Sequence, residues 1–251
     1  MRPAKKVNSF DSIIRCLEKT HPDLIEINHT YQKYTYPLVK IVLGKSNPRR
    51  VLISAGIHGD EPAGIETILS FLENKHYSQY IKNWEITLLP CINPHGYEYG
   101  IRENHDEKDL NRLFKESQPV TEVSFAQSVF STPFELTIEL HEDNESSGYY
   151  LYQKGIDVKD DKIGFEIIDA IKNIMPINMD DEIDGTSADR GVIGKAIDIS
   201  KMDWWPMALY GLSKGVERCL TLETASQFDM SIRVDAHLTA IKTALNYYSN
   251  K

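Results

Sequence analysis

Four stretches of the chain are rich in apolar residues, and each runs up to a polar side chain. RRVLISAGI over 49–57 stops at His58, WEITLLPCI over 84–92 leads into Asn93, ELTIELH over 135–141 closes on His141, and VERCLTLE over 216–223 closes on Glu223. Short apolar runs of this kind are the pattern of strands covered on both faces. Between the first two the spacing changes: Pro62 stands where a first helical turn starts, and Ile65, Ile68, Leu69 and Leu72 recur at helical intervals, which predicts a helix over 62–75. Further helices are expected over 9–18 and near 120–130, 161–173, 204–213 and 232–248. Two strands over 23–28 and 36–43 make a hairpin-like opening, and Asn93-Pro94-His95-Gly96 reads as a turn.

Strands alternating with helices imply an α/β fold with a mixed, largely parallel central sheet. In such sheets ligands bind beyond the carboxyl ends of the strands, and His58, Asn93, His141 and Glu223 all stand at that end of an expected strand. The chain has 251 residues and shows no internal repeat or linker, so one domain over 1–251 is expected.

Composition narrows the partners. With 41% hydrophobic and 26% charged residues the chain has what a packed core requires, and its formal charge of -9 argues against attraction to phosphate backbones or anionic membranes. Neither nucleic acid nor a membrane is expected as a partner. Cys16, Cys91 and Cys219 have no CxxC spacing and read as reduced thiols rather than a disulfide framework or a cysteine metal site. The basic residues near the N-terminus are not followed by an apolar segment, and no run reaches the roughly 18 apolar residues of a membrane span, so a cytoplasmic location is expected.

The polar strand ends suggest a chemistry. His58 and Glu61, in HGDE, are separated by two residues where a strand leads into a helix, a spacing that lets both side chains face one centre; an HxxE pattern also arises by chance, with the glutamate favoured by the helix dipole. His141 adds an imidazole at a buried strand end. Two histidines and a glutamate are the ligands of catalytic zinc peptidases, with a fourth position left for water, and imidazole suits zinc better than calcium or magnesium. Water activated by zinc still needs a base to take its proton, and Glu223, at the end of an apolar strand, is the candidate. Arg102 and the segment Asp109-Leu110-Asn111-Arg112 lie in a polar stretch, GIRENHDEKDLNRLF, where an arginine fork and a neighbouring asparagine could hold a carboxylate.

Taken together and in this order, HxxE, N-P-x-G, an arginine, D-x-N-R, a later histidine and a late glutamate resemble the zinc carboxypeptidase family over roughly residues 50–225. The resemblance implies a single-domain α/β/α sandwich of the zinc-carboxypeptidase kind. It implies one Zn²⁺ held by His58, Glu61 and His141, with Glu223 as general base and proton donor to the leaving amine. Arg102 would polarise the scissile carbonyl, Asn111 and Arg112 would bind the free carboxylate of a peptide, and Asp109 would support a ligand histidine.

Two departures qualify the likeness. The turn reads NPHG rather than NPDG, and DLNRLF is closer to the related succinylglutamate desuccinylase and aspartoacylase branch, which cleaves N-acyl amino acids. That branch is the alternative; it usually adds a β-rich domain after the glutamate, whereas 28 residues follow Glu223 here, which favours the carboxypeptidase side. The family's mobile tyrosine has candidates in Tyr210 and in Tyr149 to Tyr152, and Trp204 and Trp205 are candidates for a pocket rim. A catalytically silent protein that captures carboxylate-bearing peptides in the same pocket is the alternative of another class.

Overall fold

The four apolar runs lie side by side at the centre of one sheet. This computed structural model describes residues 5–20, 25–28, 36–155, 162–194 and 201–249. In chain order the elements are α1 (Phe10–Thr20), β1 (Ile25–Asn28), β2 (Leu38–Leu43), β3 (Arg49–Ala55), α2 (Pro62–Glu73), β4 (Trp84–Leu89), α3 (Pro94–Tyr99), α4 (Thr121–Ser128), β5 (Leu136–Asp143), β6 (Tyr150–Gly155), α5 (Ile163–Ile171), β7 (Glu182–Ile183), β8 (Thr186–Ser187), β9 (Val192–Ile193), α6 (Met207–Ser213), β10 (Arg218–Ala225) and α7 (Met230–Ser249). Among the described residues an eight-stranded sheet runs β1-β2-β4-β3-β5-β10-β6-β9, and β7 and β8 form a separate hairpin. β4, β3, β5 and β10 are mutually parallel, while β1, β2 and β6 are antiparallel to their inner neighbours. The sheet is therefore mixed and largely parallel, as expected.

Side-chain alternation divides the strands between two layers. Ile53, Leu140 and Leu222 face a large core shared with Ile65 and Ile68 of α2 and with Ile241 and Ala244 of α7. On the other face Leu52 and Cys219 pack with Ala126 of α4 and with Met207 and Ala208 of α6. This is an α/β/α sandwich. Toward the carboxyl ends of β5 and β10 the second face turns polar: Glu139 and His141 stand beside Thr221 and Glu223, which in turn stand beside Tyr152 and Tyr150.

Several boundaries differ from expectation for local reasons. The strand begun at Trp84 ends at Leu89, before Pro90, which has no N–H to give to a ladder. The Asn93 turn is the start of a helix: Pro94 opens α3, and Asn93 Oδ1 accepts the Gly96 N–H at 2.9 Å as its cap. The helix expected from 204 starts at Met207, behind Pro206, so Trp204 and Trp205 remain in the preceding loop. β6, β9 and the β7–β8 hairpin were not expected, and the expected strand over 23–28 lies partly outside the described residues. Among the described residues no helix is long and apolar enough to cross a membrane.

Candidate metal centre

The loop after β3 is shaped by two backbone contacts with α3. Asn93 N–H donates to the Gly56 carbonyl at 2.7 Å, and Gly59 lies so close to α3 that a Cβ there would sit 1.9 Å from the Gly96 carbonyl carbon. Only glycine fits at 59, and the obstacle is backbone rather than a side chain that could swing away. Gly59→Ala is accordingly expected to lower the unfolding free energy by about 3 kcal/mol, the upper range for overpacking. Urea denaturation checks this, and a change below about 0.5 kcal/mol would show that the contact yields.

His58 and Glu61 leave this loop, and His141 comes from β5. All three are buried, and their ligand atoms lie within 4.8 Å of one another. His58 Nδ1 is 2.6 Å from Glu61 Oε1, and His141 Nδ1 is 2.9 Å from Glu61 Oε2. Burial opposes ionisation of Glu61, but the two imidazoles outweigh it and hold the carboxyl below its usual range. Glu61 caps α2 by position yet makes no side-chain bond to it. Glu142 does that instead, accepting the Ala63 N–H at 2.6 Å and pairing with Arg233 of α7. The capping duty is thus carried by another residue, and Glu61 is turned toward the histidines.

This donor set suits zinc: two imidazole nitrogens and a carboxylate converge, and three protein ligands leave a position open. The opposite nitrogen of His58, Nε2, faces Asp109 Oδ1 at 3.3 Å, the kind of contact that fixes a ligand imidazole's tautomer and orientation. Burial alone would raise the Asp109 carboxyl, but His58, Arg102 and Arg112 hold it well below the carboxylate range. Arg102 Nε donates to Asp109 Oδ2 at 3.0 Å, and a second guanidinium nitrogen is 3.6 Å from Glu61 Oε1. Arg112 lies at the rim, its guanidinium carbon 4.2 Å from the centroid of the half-exposed Trp204 ring. Asn111 is buried, with its side-chain oxygen accepting the Met207 N–H at 2.9 Å, so it ties the loop to the start of α6.

Glu223 stands directly beside His141 across the β5–β10 pair. Burial drives its carboxyl upward while the neighbouring His141 opposes the shift. A carboxylate raised in this way is the stronger base once ionised. Glu142, the other acid next to His141, points into the opposite layer. Of the tyrosines, Tyr210 packs between Phe114 and Phe130, and Tyr149 is buried against His237. Tyr150 and Tyr152 share the metal-side face, their hydroxyls donating to Asp143 and Asp184 at 2.9 and 2.8 Å.

Two buried groups near the centre escape a reading of the sequence. His237 of α7 donates from Nε2 to the His141 carbonyl at 3.1 Å, and no sequence pattern announces it. Glu139, two residues before His141, lies on the same face with burial pushing its carboxyl up to about 7. It had a signal: Thr137, Glu139 and His141 alternate with Leu136, Ile138 and Leu140.

The profile of the succinylglutamate desuccinylase/aspartoacylase catalytic domain matches residues 47–192. The inactive metallocarboxypeptidase ECM14 of Paracoccidioides lutzii is 21% identical over 140 residues, which cover 51% of this chain and 22% of that protein. Among solved structures, a Shewanella denitrificans protein provisionally described as a metallopeptidase superposes with a TM-score of 0.81 at 23% identity, covering 95% of this chain and 90% of its own. A metallo-carboxypeptidase from Burkholderia cenocepacia gives 0.72 at 15% identity, covering 97% and 70%. One from Pseudomonas aeruginosa, in complex with (2-guanidinoethylmercapto)succinic acid, gives 0.69 at 14%, covering 96% and 69%. At these identities the structural likeness is one of fold.

Proposed function

Because the chain belongs to the succinylglutamate desuccinylase/aspartoacylase catalytic-domain family, we propose that it is a zinc-dependent hydrolase cleaving an amide bond next to a free carboxylate, in a peptide or an N-acyl amino acid. The observation that carries this reading is the convergence of His58, Glu61 and His141 with Glu223 alongside His141. His58, Glu61 and His141 would hold zinc, which when bound would supply Lewis acidity and bring the pKa of water toward about 7. Glu223 takes the proton of the attacking water and passes it to the leaving nitrogen. Arg102, kept close to the centre by Asp109 and Glu61, faces the negative charge that develops on the carbonyl oxygen. Arg112 and Asn111 hold the substrate carboxylate.

A second reading follows from the relatives named inactive: the same pocket captures carboxylate-bearing peptides without turnover. Retention of three ligands and a carboxylate at 223 supports hydrolysis. Elemental analysis for zinc, combined with hydrolysis of a panel of free-acid peptides and N-acyl amino acids, separates the two. Zinc with product release supports the enzyme, zinc and binding without release favours the silent protein, and a folded chain that takes up no zinc sinks both metal readings.

The carboxylate clamp has its own test. Arg112→Lys removes both the planar fork and the stacking on Trp204, since an ammonium is a point charge. A loss of about 10- to 100-fold in kcat/KM on free acids is expected, the worth of one charged hydrogen bond. Amidated substrates should already be poor in the wild type, and equal rates on an acid and its amide would remove the clamp.

A further inference from the structure

β5 carries a buried carboxylate on the His141 side of the sheet that this reaction does not use. Glu139 is 2% exposed and points to the same face as His141. Among the described residues its Oε1 has no hydrogen-bond partner, and its Oε2 is 4.0 Å from His141 Nε2, beyond hydrogen-bond reach. The register places Ser54 of β3 and Thr221 of β10 on either side of it, with Tyr152 beyond Thr221. Lys154, the lysine that β6 adds to this face, stands one row deeper and two strands away, with its ammonium over the Tyr152 ring at 5.2 Å from the centroid; from there it attracts the Glu139 carboxylate through space, with no hydrogen bond between them.

A buried carboxylate with a bond unmade is costly, and native folds rarely keep one without a use. Its complement must be a donor, and in a dry place a cation is the strongest one. Glu139 and His141, two positions apart, are separated by about 7 Å along the strand, roughly the reach of a four-carbon side chain. We propose that Glu139 determines specificity, receiving the amine or guanidinium of the substrate residue that bears the free carboxylate. The proposal rests on the hydrolase reading above. An acidic side chain at this depth would set two like charges together in a buried site, so Glu139 also rejects substrates ending in glutamate or aspartate.

The test uses the zinc-loaded full chain and peptides identical except for a terminal lysine, norleucine or glutamate. The wild type is expected to prefer lysine over norleucine and norleucine over glutamate. In Glu139→Gln, which has nearly the shape of the native side chain, the lysine-to-norleucine ratio of kcat/KM should fall by about 10- to 100-fold. A wild type that prefers norleucine or glutamate overturns the proposal, and this result does not depend on the variant folding. An unmoved ratio with all peptides slowed alike, together with weakened zinc, also overturns it by showing that Glu139 merely positions His141. If no peptide is cleaved, calorimetric titration of free lysine and free norleucine decides separately. Lysine binding that weakens in Glu139→Gln retains the pocket while the hydrolase reading falls, and equal affinity for the two amino acids overturns the pocket itself.

Discussion

Glu223→Gln is expected to retain zinc and substrate affinity while losing on the order of 10²–10⁴ in turnover, the usual share of general-base catalysis. Glutamine has nearly the shape of glutamate but cannot accept a proton at neutral pH, so the substitution isolates the chemistry from the packing. The position makes the separation clean: Glu223 pairs in register with His141 but is not one of the three converging ligands. Turnover measured on zinc-loaded protein, with elemental analysis and a melting curve alongside, gives the answer. Loss of zinc or stability together with activity would point to a fold defect. Near-normal turnover in a folded, loaded variant would move the base elsewhere, and the obvious neighbour is no substitute, because Glu142 is engaged by Ala63 and Arg233 in the opposite layer.

Removal of a proposed ligand is expected to act on the metal instead. Free energies of about 10–16 kcal/mol for four-ligand zinc sites, shared over the ligands, give roughly 3 kcal/mol each, so His58→Ala or His141→Ala should weaken zinc by about 10²–10³-fold. Competition against a chelator measures this directly. The two variants should differ in fold stability: His141 lies within the central strand β5, whereas His58 lies in the loop beyond β3. Near-stoichiometric zinc in both under chelator challenge would reject the ligand assignment.

Much of the sheet was legible because β3, β4, β5 and β10 are covered on both faces and hydrophobicity marks such strands directly. β6 was not, since SGYYLYQK mixes aromatic and polar residues and becomes a strand by pairing with β10. β9, at two residues, has no sequence pattern of its own. The candidate ligands were legible for a related reason: a histidine or glutamate ending an apolar run stands out against it. Treating ELTIELH as simply apolar concealed Glu139, whose parity with His141 is what places it in the site. The second duty of Asn111, holding the start of α6, depends on a residue 96 positions away and has no local trace. The profile match falls on the succinylglutamate desuccinylase/aspartoacylase branch, in keeping with DLNRLF, while the likeness to solved metallopeptidases and carboxypeptidases is one of fold.

Successive residues of β5 serve opposite sides of the sheet: His141 faces Glu61 at the candidate metal centre, while Glu142 caps α2 and holds α7. A single deletion or insertion within LTIELHE would hand each duty to the wrong layer, turning the ligand into the helix core and the capping acid into the site. The length of this segment is therefore more tightly constrained than its composition. When distant relatives are aligned, a gap opened inside it is wrong on geometric grounds, however much it improves the count of identities.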